Sequence, residues 1–76
     1  MSGDATLDAS GQKCPIPVLM ARRALKGVAV GARLTVIATD PGADADLRAF
    51  CETTGHVLVE ARREGERLIF VIRKTK

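Results

Sequence analysis

The segment Leu7-Asp8-Ala9-Ser10-Gly11-Gln12-Lys13-Cys14-Pro15-Ile16-Pro17-Val18 passes from strand to helix and sets the pattern of the whole chain. Ala5 to Ala9 reads as a short strand, with Leu7 its clearest apolar residue, and Ser10 to Lys13 as a loop. From Pro15 to about Lys26 the spacing is helical: Val18, Ala21 and Leu25 share one face, flanked by Ile16 and Leu19. Arg22, Arg23 and Lys26 fall near the helix end, where cations suit the dipole, and Gly27 reads as the stop.

The same passage recurs further on. Arg33 to Thr39 is alternating and β-branched, which predicts a second strand. Asp40-Pro41-Gly42 then reads as a helix start, with Asp40 as cap and Pro41 at the first helical position. Ala43, Leu47, Phe50 and Cys51 form one apolar stripe of a second helix that ends at Thr53-Thr54-Gly55. His56 to Arg62 and Arg67 to Arg73 alternate as two further strands, joined by a hairpin turn over Arg63 to Glu66. The order is therefore βαβαββ. Two helices cover one face of a four-stranded sheet, which predicts an α/β (α+β) two-layer sandwich with a mixed sheet. On the uncovered face Ile37, Ile69 and Val71 are either scattered apolar residues or a surface that meets a partner.

Residues 1–76 fit one domain, and apolar residues make up 46% of them, enough for a folded core. A domain of this size buries only about 60% of its unfolded surface, so the core has to be efficient. No apolar run approaches the ~18 residues of a membrane span. Asp4 and Asp8 stand near the start, where a secretory signal would place cations and then an apolar stretch. Those features point to the cytoplasm, with no membrane partner. Two cysteines and one histidine do not make a metal clip, and a disulfide is out of place in a reducing compartment, so no metal and no cofactor are expected. The net charge of +3 suits an acidic partner or RNA, or is ordinary solvated surface.

Cys14 lies outside every apolar stripe, between a polar loop and two prolines, and reads as a reactive thiol. Two registers are open: Cys14 caps the first helix with Pro15 at N1, or the helix begins at Pro17 and the sulfur projects ahead of it. Both put the sulfur at the positive end of the helix, with the Ile16 N–H its best-placed donor. A helix terminus contributes ~0.3–1 kcal/mol, enough to lower a cysteine pKa of ~8.5 by roughly one unit. Cys51 sits on the core stripe and reads as a packed, inert thiol, and His56 as a structural histidine. A lone thiol closes no dithiol cycle, and one histidine in a chain this short builds no hydrolase cleft. What remains is a surface sulfur that accepts a group, holds it and hands it on.

Leu7-Asp8, Gly11, Cys14-Pro15-Ile16-Pro17-Val18, Asp40-Pro41, Asp46, Phe50-Cys51 and Gly55-His56 run in the order of one family. The chain resembles the TusA-type (SirA-like) sulfur-carrier proteins. The resemblance implies the sandwich reached above and a persulfide carried on Cys14. A cysteine desulfurase or rhodanese-like donor would load it, and an acceptor protein would take it on toward tRNA 2-thiolation, molybdenum cofactor assembly or sulfur oxidation. It makes the chain a sulfurtransferase-type carrier that works with partner enzymes. Gly11, Pro15 and Pro17 belong to the motif, and Asp8 matches a family aspartate that shapes the loop or handles a proton. Three positions depart from the enteric-type pattern: Gly42-Ala43 follows Asp40-Pro41, and Arg48 stands where a proline is common.

Lys13, Arg22, Arg23 and Lys26 would guide an acidic partner, or else simply solvate the first helix. Two competing readings are an RNA-binding module and a redox-regulatory module. Direct nucleic-acid binding is not expected, because Phe50 and Phe70 are the only aromatics and both fall on apolar faces. A redox sensor would form a sulfenate or a mixed disulfide at Cys14.

Overall fold

The structure is a computed structural model, and it describes residues 3–76. β1 (Ala5–Ala9), α1 (Ile16–Leu25), β2 (Arg33–Ala38), α2 (Ala43–Thr54), β3 (Val57–Glu64) and β4 (Arg67–Arg73) follow one another in the expected βαβαββ order. The sheet runs β1-β2-β4-β3. β1 pairs parallel with β2, while β4 pairs antiparallel with both β2 and β3. The last strand thus inserts between β2 and β3, and the sheet is mixed.

Alternation decides which side chains meet the helices. Leu34, Val36 and Ala38 of β2 and Phe70 and Ile72 of β4 face Ala21 and Leu25 of α1 and Ala43, Leu47 and Cys51 of α2 in one aliphatic core. Phe70, Leu34, Leu47, Ile72 and Val36 are almost fully sealed. The α2 stripe is as expected except at Phe50, which is half-buried and tilts against the His56 ring, centroids 6.2 Å apart. On α1 the buried residues are Pro17, Ala21 and Leu25, whereas Ile16 and Leu19 are 43% and 55% exposed.

On the other face Ile69 is only 4% exposed, with Ile37 opposite it on β2 and Arg62 opposite it on β3. Arg62 is held in place by ion pairs to Glu60 and Glu64. A long charged side chain that lays its stem over an apolar neighbour accounts for that burial without a partner protein. β3 carries an irregularity between Leu58 and Glu60 and runs on to Glu64, so the turn narrows to Gly65-Glu66. Gly65 takes φ +64° at the first turn position, which a type II′ hairpin demands.

Two helix ends differ from expectation. α1 ends at Leu25, and Gly27 does not supply a left-handed stop. Lys74 of the C-terminal segment closes that end instead: its Nζ donates to the carbonyls of Leu25 (2.8 Å) and Val28 (2.9 Å), oxygens that have no partner inside the helix. α2 begins at Ala43 with Gly42 as N-cap, so Asp40 does not cap it through its side chain and Pro41 lies outside it. The Asp40 carboxylate is engaged elsewhere, at the cysteine loop.

Candidate functional site

The β1–α1 loop is held at three points. Asp8 Oδ1 accepts the Ser10 N–H at 3.0 Å and sets the first turn after β1. Gly11 turns with φ +80°, a conformation an L side chain rarely adopts, and donates its N–H to Thr39 Oγ1 at 2.9 Å. Asp40 Oδ2 accepts the Cys14 N–H at 2.6 Å, and Asp40 Oδ1 accepts the Gly42 N–H at 3.3 Å. Thr39 and Asp40 follow β2, so the ends of two adjacent parallel strands clamp the loop that carries the thiol.

Helix α1 starts between the two registers open in the sequence. Pro15 is its N-cap residue and Ile16 its first helical residue, which leaves Cys14 just ahead of the cap and half-buried. The peptide bond between Cys14 and Pro15 is cis. Gly42 lies beside the cysteine: a Cβ there would stand 3.7 Å from both Cβ and Sγ of Cys14, so the glycine leaves that flank of the sulfur open.

The expected activation of this thiol is overturned. Its pKa is pushed up to about 12, chiefly by desolvation, then by a hydrogen bond to the Asp46 side chain and by the negative charges of Asp46 and Asp40. The reason lies in the donors. Pro15 and Pro17 have no N–H, and the Ile16 N–H is spent on the Lys13 carbonyl at 2.9 Å. Those three residues therefore offer the sulfur no donor, while Asp46 of α2 and Asp40 act on it with negative charge. Asp46 was legible as part of the family pattern but not as a neighbour of Cys14. Only the packing of the two helices shows that.

Asp8 is placed apart from this pair. In register it stands on the uncovered face with Thr6, and its carboxyl is held low by its bonds to Ser10. It does not figure among the groups that act on the Cys14 proton. Cys51 is 5% exposed in the core, and burial alone pushes its thiol up. His56 Nδ1 accepts the Thr75 N–H at 3.1 Å and pins the C-terminal segment, while burial and the charges of Lys74 and Lys76 hold its pKa down. Neither residue reaches the loop.

A groove between the helices is lined by Pro15, the residue after Cys14, with Val18, Arg22, Asp46, Ala49 and Phe50. A second, apolar one runs along the other flank of α1, with Ile16, Leu19 and Arg23 on its walls. Of the four cations singled out from sequence, Arg22 lines the first groove and Arg23 the second. Lys26 stands at the far end of α1 near Lys74 and Lys76, and Lys13 next to the thiol acts on Asp40. All four are exposed. Among the described residues no group of side chains forms a metal site, and no helix is long and apolar enough to cross a membrane.

Comparison with known proteins fits this geometry. The family described as sulfurtransferase TusA matches residues 5–74. The chain belongs to the TusA family. It is 46% identical over 72 residues to the sulfur carrier protein TusA of Allochromatium vinosum, covering 95% of each chain. It is 45% identical over 73 residues to that of Pseudomonas aeruginosa PAO1, covering 96% of this chain and 92% of the relative. The crystal structure of the SirA-like protein from Desulfitobacterium hafniense superposes with a TM-score of 0.82 at 28% identity, covering 95% of this chain and 99% of that one. The TusA fold is thus the frame on which the clamped loop and its cysteine are built.

Proposed function

We propose that this chain, working as one domain over residues 1–76, takes up sulfane sulfur as a persulfide on Cys14 and passes it to an acceptor protein. The observation that carries the reading is the partly exposed Cys14 on a loop clamped by Asp40 and Thr39, in a chain of the TusA family. Uptake is an exchange at sulfur. Cys14 gives up its proton and attacks the outer sulfur of a donor persulfide; the donor's S–S bond breaks, and its inner sulfur leaves as a thiolate that takes a proton. No net oxidation occurs, so no redox cofactor is needed. Delivery repeats the exchange with Cys14 as the leaving group.

The donor is a cysteine desulfurase or a rhodanese-like protein, and the acceptor serves tRNA thiolation, molybdenum cofactor assembly or sulfur oxidation. The family likeness supports those choices, and the chain works with these enzymes in the cytoplasm. Lys13, Arg22, Arg23 and Lys26 guide acidic partners toward the loop by long-range attraction. Asp8 and Gly11 shape the turn, and Pro15 and Pro17 stiffen the approach to the sulfur.

The test is chemical. Incubation with a cysteine desulfurase and cysteine should add the mass of one sulfur atom, removable by dithiothreitol and located on Cys14. Wild type without a labile adduct, or an equal adduct on Cys14→Ser, rejects the reading.

A further inference from the structure

We propose that the hollow at the C-terminal ends of α1 and α2, walled by Arg22, Lys26, His56, Lys74 and Lys76, is a binding site for a phosphate group. The proposal stands apart from the carrier reading, since no part of it involves Cys14.

The hollow forms where three parts of the chain meet. Arg22 and Lys26 come from the end of α1, His56 from the end of α2, and Lys74 and Lys76 from the segment after β4. Lys76 lies against the turn that closes α2: a Cβ on Gly55 would stand 3.4 Å from its Nζ. No aspartate or glutamate side chain lines the hollow. Elsewhere on the surface Arg48 is paired with Asp44, and Arg62 with Glu60 and Glu64. Among the described residues none of the four cations of the hollow forms an ion pair.

Closing the helices does not use up this charge. Lys74 Nζ donates to the carbonyls of Leu25 and Val28, which fixes its position and leaves it one further N–H. Each helix end carries about half a negative charge, so against four cations about three positive charges are left without a counter-charge. His56 adds a donor held in place. Its Nδ1 accepts the Thr75 N–H at 3.1 Å, so the neutral ring keeps its proton on Nε2. Burial and then the charges of Lys74 and Lys76 hold its pKa down, as a positive potential at the wall of the hollow would.

The lining therefore asks for an anion that accepts from several directions. A carboxylate brings one charge and two oxygens, and leaves donors of at least one of the three parts unused. A phosphate monoester brings a charge of about −1.5 to −2 and an acceptor oxygen for each part. The group belongs either to a small phosphate ester or to the backbone of RNA, where charge contacts need no aromatic platform for the bases.

The experiment titrates inorganic phosphate into the whole chain and follows the ring signal of His56, the one histidine, by NMR. Sodium chloride at equal ionic strength is the blank. The signal should shift and saturate at roughly millimolar phosphate. The midpoint of the His56 titration should rise, because a bound anion offsets the lysine charges that lower it. Lys26→Ala and Lys76→Ala, both at exposed positions, should each weaken binding about threefold and together about tenfold, with circular dichroism to verify folding. Lys13→Ala removes the same charge ahead of α1, away from the hollow, and should bind phosphate as wild type does. A short oligouridine RNA is the second arm. Binding tighter than that of phosphate, and weakened by the same two variants, assigns the group to an RNA backbone; any other RNA result assigns it to a small ester. A wild-type signal that does not saturate, an unmoved His56 midpoint, or equal weakening by Lys13→Ala overturns the proposal. The first two of these need no variant to fold.

Discussion

In both cysteines of this protein burial pushes the pKa up, and they differ in what is added to it. Cys51 sits in the core against Leu47 and Phe70, and desolvation alone raises its pKa. Cys14 is half-buried, and two carboxylates add to the desolvation. A thiol silenced by packing is silent for as long as the fold lasts. A contribution from nearby charge lasts only until that charge is neutralised. The difference separates the two sulfurs of this chain more sharply than exposure does.

The widest gap between the two should appear in their response to pH. With its pKa at about 12, Cys14 in the native protein should alkylate roughly tenfold faster for each unit of pH across the alkaline range below that value. Cys51 should stay unreacted wherever the fold holds. The same shift has a consequence for stability, with a definite sign. The folded pKa lies above the unfolded one of ~8.5, so below that pH both states keep the proton and the contribution is intact. As pH rises from there toward 12, the unfolded chain loses the proton first and stability falls. Melting curves at rising pH, compared with those of Cys14→Ser, isolate this slope. A slope unchanged by that substitution would mean that folding does not raise the pKa of this thiol.

A middle-sized effect tests the packed partner. Cys51→Ser places a hydroxyl in the apolar core and should cost about 1–3 kcal/mol by urea unfolding, through the unpaired polar group. Sulfur uptake on Cys14 should continue at the wild-type level. If Cys51→Ser instead abolishes uptake in folded protein, the division between the two sulfurs is wrong and Cys51 takes part in the relay.

How far each region could be read from sequence follows the same division. The core stripe of α2, the alternation of β2 and β4 and the left-handed end at Gly55 were legible because they rest on local periodicity and on glycine's freedom at positive φ. The motif around Cys14 was legible too, as chemistry-bearing residues in a fixed order. The charge state of its sulfur was not. A helix dipole argument sees the Cys14-Pro15-Ile16-Pro17 run alone, whereas the answer depends on residues beyond β2. Asp40 was read as a cap for its own helix because cap signals are local. The structure turns it across to a residue 26 positions earlier. Lys74 shows the same limit at the other end of α1, since a lysine 49 residues away from Leu25 closes a helix that a local glycine was expected to stop. Pattern reads what neighbours in sequence decide, and both errors sit where two elements meet.

The smallest effect bears on the clamp itself. Gly11 needs its φ of +80°, and nothing lies within 4 Å of the Cβ that Gly11→Ala would add. The substitution therefore meets no clash, and its cost is the backbone term alone, about 1 kcal/mol. That cost falls on the loop that carries Cys14 and not on the core that holds Cys51. The Gly11 N–H bond to Thr39 Oγ1 would weaken as the turn relaxes, and with it one of the ties between the loop and the end of β2. Hydrogen exchange should then quicken at the backbone amides of Gly11 and Cys14 while those of β2 and β4 keep their protection, because the opening is local. Thr39→Val removes the same tie from the other side and should reproduce the pattern without touching the glycine. Equal loss of protection in the loop and in the core strands would mean that the loop and the fold open as one unit, and that the two sulfurs are guarded by the same structure after all.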